Sequence, residues 1–120
     1  MSIKDDLKVA IDARNTISFN YKGHLRVAEP YHYGVPLMTP QFKLIKKPQV
    51  DSLLCYQIGG TSNSHLTKGK PITFRVMALN QISDLKINEN EQFEVRSDYE
   101  PNDRRWRIEY GVANSPSYRP

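Results

Sequence analysis

The spacing of apolar positions changes period once, near residue 15. Over residues 4–14 (KDDLKVAIDAR), Leu7, Ala10 and Ile11, with Ala13 at the margin, recur at helical intervals. That spacing predicts a short helix with one apolar face. Ser2 or Asp5 is placed to cap its start, and the acids of the first turn suit the positive end of the helix dipole. Asn15 is the expected stop. A helix of about three turns does not persist alone in water, so it must pack on something. From Ile17 the period is two: Ile17, Phe19 and Tyr21 alternate with Ser18 and Asn20. Lys22-Gly23 marks a tight turn. Beyond it, His24, Arg26 and Ala28 share one face, and Leu25, Val27 and Glu29 the other. Pro30 has no N–H to give, which implies an edge position or a strand end. Gly34 closes the run.

Further along, the pattern is less even. Pro36, Pro40 and Pro48 forbid a long element over 35–49, so that segment reads as a loop insertion in which Phe42, Leu44 and Ile45 form at most a short strand. Residues 50–58 (VDSLLCYQI) are nearly continuous in apolar character and predict a buried strand ended by Gly59-Gly60. Thr61 to Lys70 is polar and rich in turn residues. Residues 71–79 (PITFRVMAL) predict another strand, with Thr73, Arg75 and Met77 on one face. Residues 81–88 alternate only if a bulge near Ser83-Asp84 restores the register. Residues 89–105 are charged and contain the turn Pro101-Asn102-Asp103. Residues 106–112 (WRIEYGV) are a last strand or a short tail element, and the end (NSPSYRP) is expected to fray. A helix followed by about five short strands, with hairpin spacing and no crossover helices, predicts a mainly β fold. The expected form is a small five-stranded antiparallel barrel or a strongly bent sheet. The domain reading is a helix over 1–15, the β unit over 16–88, and a C-terminal extension over 89–120 that packs on it or trails from it.

Length and composition narrow the chemistry. At 120 residues the chain is one domain with one modest core. No apolar run approaches the roughly 18 residues of a membrane span. The opening MSIKDDLK lacks the apolar stretch of a secretory signal, and a lone cysteine cannot form an internal disulfide. Both predict a cytoplasmic protein with no membrane partner. Cys55 is expected to pack as a small hydrophobe. A net charge of +4 is compatible with a polyanionic partner without demanding one.

Catalytic and metal chemistry find little support. His24, His32 and His65 lack the close spacing of a zinc site; His24 and His32 share strand parity but lie too far apart to chelate one ion. There is no G-x-S-x-G, and Gly59-Gly60-Thr61-Ser62 lacks the spaced Gly-Lys-Ser of a phosphate loop. Asp84, Glu89, Glu91 and Glu94 read as solvated surface. The expectation is a non-enzyme with no cofactor. Arg26 and Arg75 are different, because each sits mid-strand among apolar residues, where a cation is costly without an anionic partner. Two readings stay open. Each arginine reaches the surface or pairs with a carboxylate such as Glu29 or Glu109. Otherwise both line a concave face and bind a phosphate or carboxylate, with Tyr21, Tyr31, Tyr33 and Tyr56 offering stacking planes and His24 beside them. The cluster Arg104, Arg105 and Arg107 around Trp106 reads as a solvated tail with one anchoring ring.

The order "ISFNYKGHLRVAEPYHYG", "LLCYQIGG", a polar loop and "FRVMALNQISDLKI" resembles the WYL domain of bacterial transcription regulators and defence-system proteins. It covers about residues 7–88, and "YEPNDRRWRIEYGV" resembles the tail of short single-domain relatives. The resemblance implies a small SH3/Sm-like barrel that senses a single-stranded nucleic acid fragment or a nucleotide-like anion. A regulatory protein partner or self-association as a homodimer would pass the signal on. Carried over by position, Arg26 matches the arginine of the second strand, Arg75 the first of the arginine-bearing strand, and Tyr56 the tyrosine closing the central strand. The Trp-Tyr-Leu signature falls on Asp51-Ser52-Leu53, so only its leucine is kept. Two later basic positions fall on Ala78 and Gln81, leaving Lys68, Lys70 or the Arg104–Arg107 cluster to compensate. The alternative is a protein–protein interaction module with a degenerate pocket. About ten helical residues cannot form a helix-turn-helix reader, so sequence-specific repression is not expected of this chain alone.

Overall fold

The computed structural model describes residues 2–39, 41–47, 49–60, 74–116 and 118. Helix α1 spans Ile3–Ala13. Ser2 is its N-cap: the Ser2 hydroxyl accepts from the Asp5 N–H, and the Asp5 carboxylate accepts from the Ser2 N–H. Both expected capping residues therefore act together. Leu7, Ala10 and Ile11 are fully buried, as their spacing requires. The chain leaves the helix at Arg14, in the left-handed conformation, and Asn15 opens the first strand.

Strands β1 (Asn15–Tyr21) and β2 (His24–Pro36) form the expected hairpin. Lys22 and Gly23 both have positive φ, 50° and 79°, which a primed two-residue turn demands. β3 (Ser52–Gly60), β4 (Phe74–Ala78), β5 (Ile82–Gln92) and β6 (Trp106–Gly111) complete a six-stranded antiparallel sheet. Its order is β4-β3-β2-β1-β5, with β6 paired to β2. The protein is thus mainly β with one short helix. The sixth strand is the segment that sequence left between strand and tail. Residues 35–49 hold one isolated bridge, Met38 to Leu44.

The long β2 is shared. β3 lies along Arg26 to Gly34, while on the other side β1 holds residues 24–28 and β6 residues 32–36. Pro30 falls between those two partners, in mid-strand rather than at an edge or an end. β1 has let go there and β6 has not begun, so its missing N–H costs no ladder bond.

The sheet is rolled. The Tyr21 hydroxyl on β1 accepts from the Ala78 N–H on β4 at 3.0 Å, although β2 and β3 separate these strands in the order. β4 passes directly to β5 through the 3₁₀ turn Leu79–Gln81. Among the described residues no backbone ladder joins β4 to β5, so the sheet is open rather than a closed five-stranded barrel.

Two of the five register shifts in the sheet bear on which candidate side chains share a face. One lies where the pattern predicted it: Ser18 opposes Lys86 but Asn20 opposes Ser83, which leaves an extra residue on β5. Asp84 takes it at φ 54°, and its carboxylate accepts from the Asn20 amide at 3.0 Å. The other was not visible in the pattern. Pro30 opposes Cys55 and His32 opposes Leu54, so β2 gains a residue at Tyr31. Neighbours Tyr31 and His32 then turn to the same face, where both rings meet Tyr99. His24 and His32, expected to share parity, therefore point to opposite faces.

The sheet has a helix face and an aromatic face. On the helix face lie Ile17, Phe19, Leu53 and Cys55, all fully buried. Lys4 of α1 reaches over the Tyr33 ring, and the Tyr110 hydroxyl donates to Asp12. On the aromatic face Tyr31 stacks with Phe74, Phe93 and Tyr99, at centroid separations of 4.8 to 5.3 Å. Thr73, His65, Lys68 and Lys70 lie outside the described residues.

Candidate functional site

Register places the two arginines. Arg26 opposes Phe19 across β1 and Arg75 opposes Cys55 across β3. Directly opposed residues point to the same side of a sheet. Phe19 and Cys55 are interior, so both guanidinium groups spring from the helix face.

Arg26 is 7% exposed. One terminal nitrogen donates to Gln57 Oε1 at 3.2 Å and the other to the Tyr21 carbonyl at 3.3 Å. Its buried Nε has no hydrogen-bond partner among the described residues, and neither has the buried Nε of the half-buried Arg75. Among the described residues no carboxylate pairs with either arginine. The two expected counterions are engaged elsewhere. Glu29 accepts from Arg96 Nε at 2.9 Å and from a terminal nitrogen at 3.2 Å. Glu109 accepts from Lys4 at 2.7 Å. Burial first, and the charge of Arg75 second, hold the Arg26 guanidinium below its ordinary value. Cys55, fully buried between the arginine-bearing strands, supplies no anion: burial pushes its thiol up to about 12. The two like charges are in electrostatic reach of each other, each with a buried donor unspent among the described residues.

The other predicted site residues divide by face. Tyr21 stays with the arginines: Arg26 lies 5.4 Å from its ring centroid. His24 opposes Tyr21 at the hairpin mouth and is half-buried. Tyr31 and Tyr56 do not join them. Tyr31 is fully buried on the aromatic face, where its hydroxyl donates to Glu29 and accepts from the Arg96 N–H, each at 3.0 Å. Tyr56 opposes Glu29 and Phe74, and the Arg96 guanidinium covers its ring at 3.6 Å. The reason is parity. Cys55 faces the arginines, so its neighbour Tyr56 must turn away, and Tyr31, five residues on from Arg26, turns away by alternation as well. Neither ring can stack on a guest held by Arg26 and Arg75. In the later basic cluster Arg105 is committed to Asp103, at 2.7 and 2.8 Å, and Trp106 is buried in a strand rather than anchoring a tail.

Gln57 was missed. It is fully buried beneath Arg26, which it orients, while its own amide donates to the Gly59 carbonyl at 3.1 Å. A polar residue at the parity of Cys55 inside an apolar run was the available signal. The Glu29–Arg96 pair was missed because its partners are 67 residues apart.

Among the described residues no three His, Cys, Asp or Glu side chains gather as a metal centre. No helix among them is long and apolar enough to cross a membrane. No family model matches the chain, and no curated protein or solved structure matches it either.

Proposed function

We propose that this protein is a non-enzymatic anion-binding domain whose guest is a short single-stranded nucleic acid or a nucleotide, held by Arg26 and Arg75. The observation that carries the reading is the absence of a counterion. Two guanidinium groups emerge from one face, each with a buried Nε lacking a partner among the described residues, while the two expected counterions, Glu29 and Glu109, are spent on other cations. A folded domain keeps unpaired buried charge at a cost, and a bound phosphate would repay it with charge-assisted hydrogen bonds. Tyr21 and His24 stand at the same end of the hairpin and would contact the attached base or sugar. A rolled sheet of SH3/Sm-like type, as the WYL resemblance implies, is supported by the Tyr21–Ala78 hydrogen bond and the direct passage from β4 to β5. Regulation through a partner protein or a homodimer follows from that resemblance alone.

Fluorescence anisotropy with a labelled single strand, at low and moderate salt, tests the site. Binding should weaken with salt, because phosphate contacts release counterions. It should be lost in Arg26→Ala plus Arg75→Ala, with circular dichroism verifying the fold. Unchanged binding in that variant removes the site. The second reading, a protein-interaction module, draws on the exposed Phe42 and Leu44 in the 35–49 segment. A stable protein partner that co-purifies without nucleic-acid absorbance favours it.

A further inference from the structure

The face opposite the arginines carries a cavity of about 340 Å³. That is within the range of small-molecule sites. Its apolar wall is built from Leu54, Phe74 and Val76 of β3 and β4, Tyr99, and Trp106 of β6. These are consecutive outward positions: Leu54 opposes Val76, and β4 alternates Phe74 and Val76 outward with Arg75 inward. Val76 is 50% exposed there, a large apolar side chain left open on a sheet face. Three aromatic rings border the space, and Phe74 and Tyr99 lie 6.2 Å apart at 44°.

The rim is acidic. Asp98, Glu100 and Asp103 line it, with Arg105 as the one cation. Arg105 and Asp103 neutralise each other through a two-point contact. Asp98 and Glu100 make no ion pair among the described residues, although Arg105 also feels the charge of Glu100, so three carboxylates face one guanidinium and the rim keeps an excess of negative charge in a chain of net charge +4. Aromatic faces and apolar walls under a net negative rim are the chemistry that holds an organic cation. A small, strongly hydrated cation would have to shed its water to reach the rings and would gain nothing from the apolar walls, and an anion would be repelled.

We propose that this cavity binds an organic ammonium ion bearing apolar substituents, its cationic head toward Asp98 and Glu100 and its apolar body against Phe74, Val76 and Trp106. This site is independent of the arginine site. Trp106, the single tryptophan of the chain, reports on it directly. Titration with benzyltrimethylammonium, followed by Trp106 fluorescence, should give saturable binding. The uncharged isostere neopentylbenzene should bind at least tenfold more weakly. Asp98→Asn plus Glu100→Gln, both exposed changes, should weaken the ammonium about tenfold, as two partly screened charges allow. Val76→Arg, also at an exposed position, should abolish binding by filling the space with a like charge. Arg26→Ala should leave it unchanged. Equal binding of the uncharged isostere, undiminished binding in the Asp98/Glu100 variant, or no response of Trp106 overturns the proposal.

Discussion

Lowering the pH from 7 to 4 tests how firmly the aromatic face keeps His32 uncharged. His32 is fully buried. Its Nδ1 shares a hydrogen bond with the Tyr99 hydroxyl at 2.8 Å, its Nε2 has no partner, and the Trp106 ring meets it edge-on at 4.6 Å. The nearest carboxylate, Asp103, favours the charged ring but is itself committed to Arg105. Burial wins and depresses the His32 pKa from 6.5 to about 4. The unfolded chain, whose histidine titrates near 6.5, therefore takes up the proton first as the pH falls. Stability from this group is complete above about pH 6.5, is lost between 6.5 and 4, and stays flat below. The interval is about 2.5 pH units, and at 1.36 kcal/mol each the loss is about 3 kcal/mol. That is a large share of a small domain's margin. Urea unfolding at pH 7, 5.5 and 4, followed by Trp106 fluorescence, measures it. His32→Phe provides the reference, because titrating groups other than Asp103, whose carboxyl feels the charge of His32, contribute equally to both proteins. The variant should be less stable at pH 7 and should lose about 3 kcal/mol less on acidification. Parallel pH curves for the two proteins would refute the argument.

Arg75→Met should leave stability unchanged or raise it by up to about 1 kcal/mol while weakening oligonucleotide binding, since the buried Nε of Arg75 has no partner among the described residues and its charge opposes Arg26; a thermal melt that falls by several degrees sinks this. Gly34→Ala should cost about 3 kcal/mol or more and lower the denaturation midpoint, because its new β-carbon would stand 2.2 Å from the backbone oxygen of Arg107 on β6. Arg96→Ala should cost about 3 kcal/mol by leaving the buried Glu29 carboxylate unpaired. Adding Glu29→Gln should restore at least about 1 kcal/mol, because an amide needs no counterion; a double variant no more stable than the single one contradicts this reading.

Local chemistry was legible in the sequence, and long-range pairing was not. The helix, its Ser2–Asp5 cap, the Lys22-Gly23 turn and the β5 bulge all follow from residues within a few positions of one another. What escaped was the β2 bulge at Tyr31. No glycine or broken alternation marks it, because an aromatic run reads as apolar in either parity. That one added residue turned His32 away from the face of His24 and brought Tyr33 onto it, opposite Leu53; Tyr31 lies opposite Arg26 by simple alternation. The placement of Tyr56 could have been read from Cys55, since a buried strand still alternates. The pairing of Glu29 with Arg96 depends on how a charged segment folds back across the sheet, which no short-range pattern encodes.

The double tenancy on one side of β2 also sets a sequence in time. Its partner in the hairpin is three residues away, from Tyr21 to His24, whereas His32 must find Gly111, 79 residues downstream. Closing the longer loop costs about 3 kcal/mol more in chain entropy. The hairpin half of β2 therefore forms early, and β6 docks late and detaches first. Since His32 and Trp106 are sealed only when β6 is seated, a chain still being synthesised carries an unfinished aromatic surface until its last strand arrives. Amide exchange should record the same order, with Trp106–Gly111 releasing label well before residues 24–28.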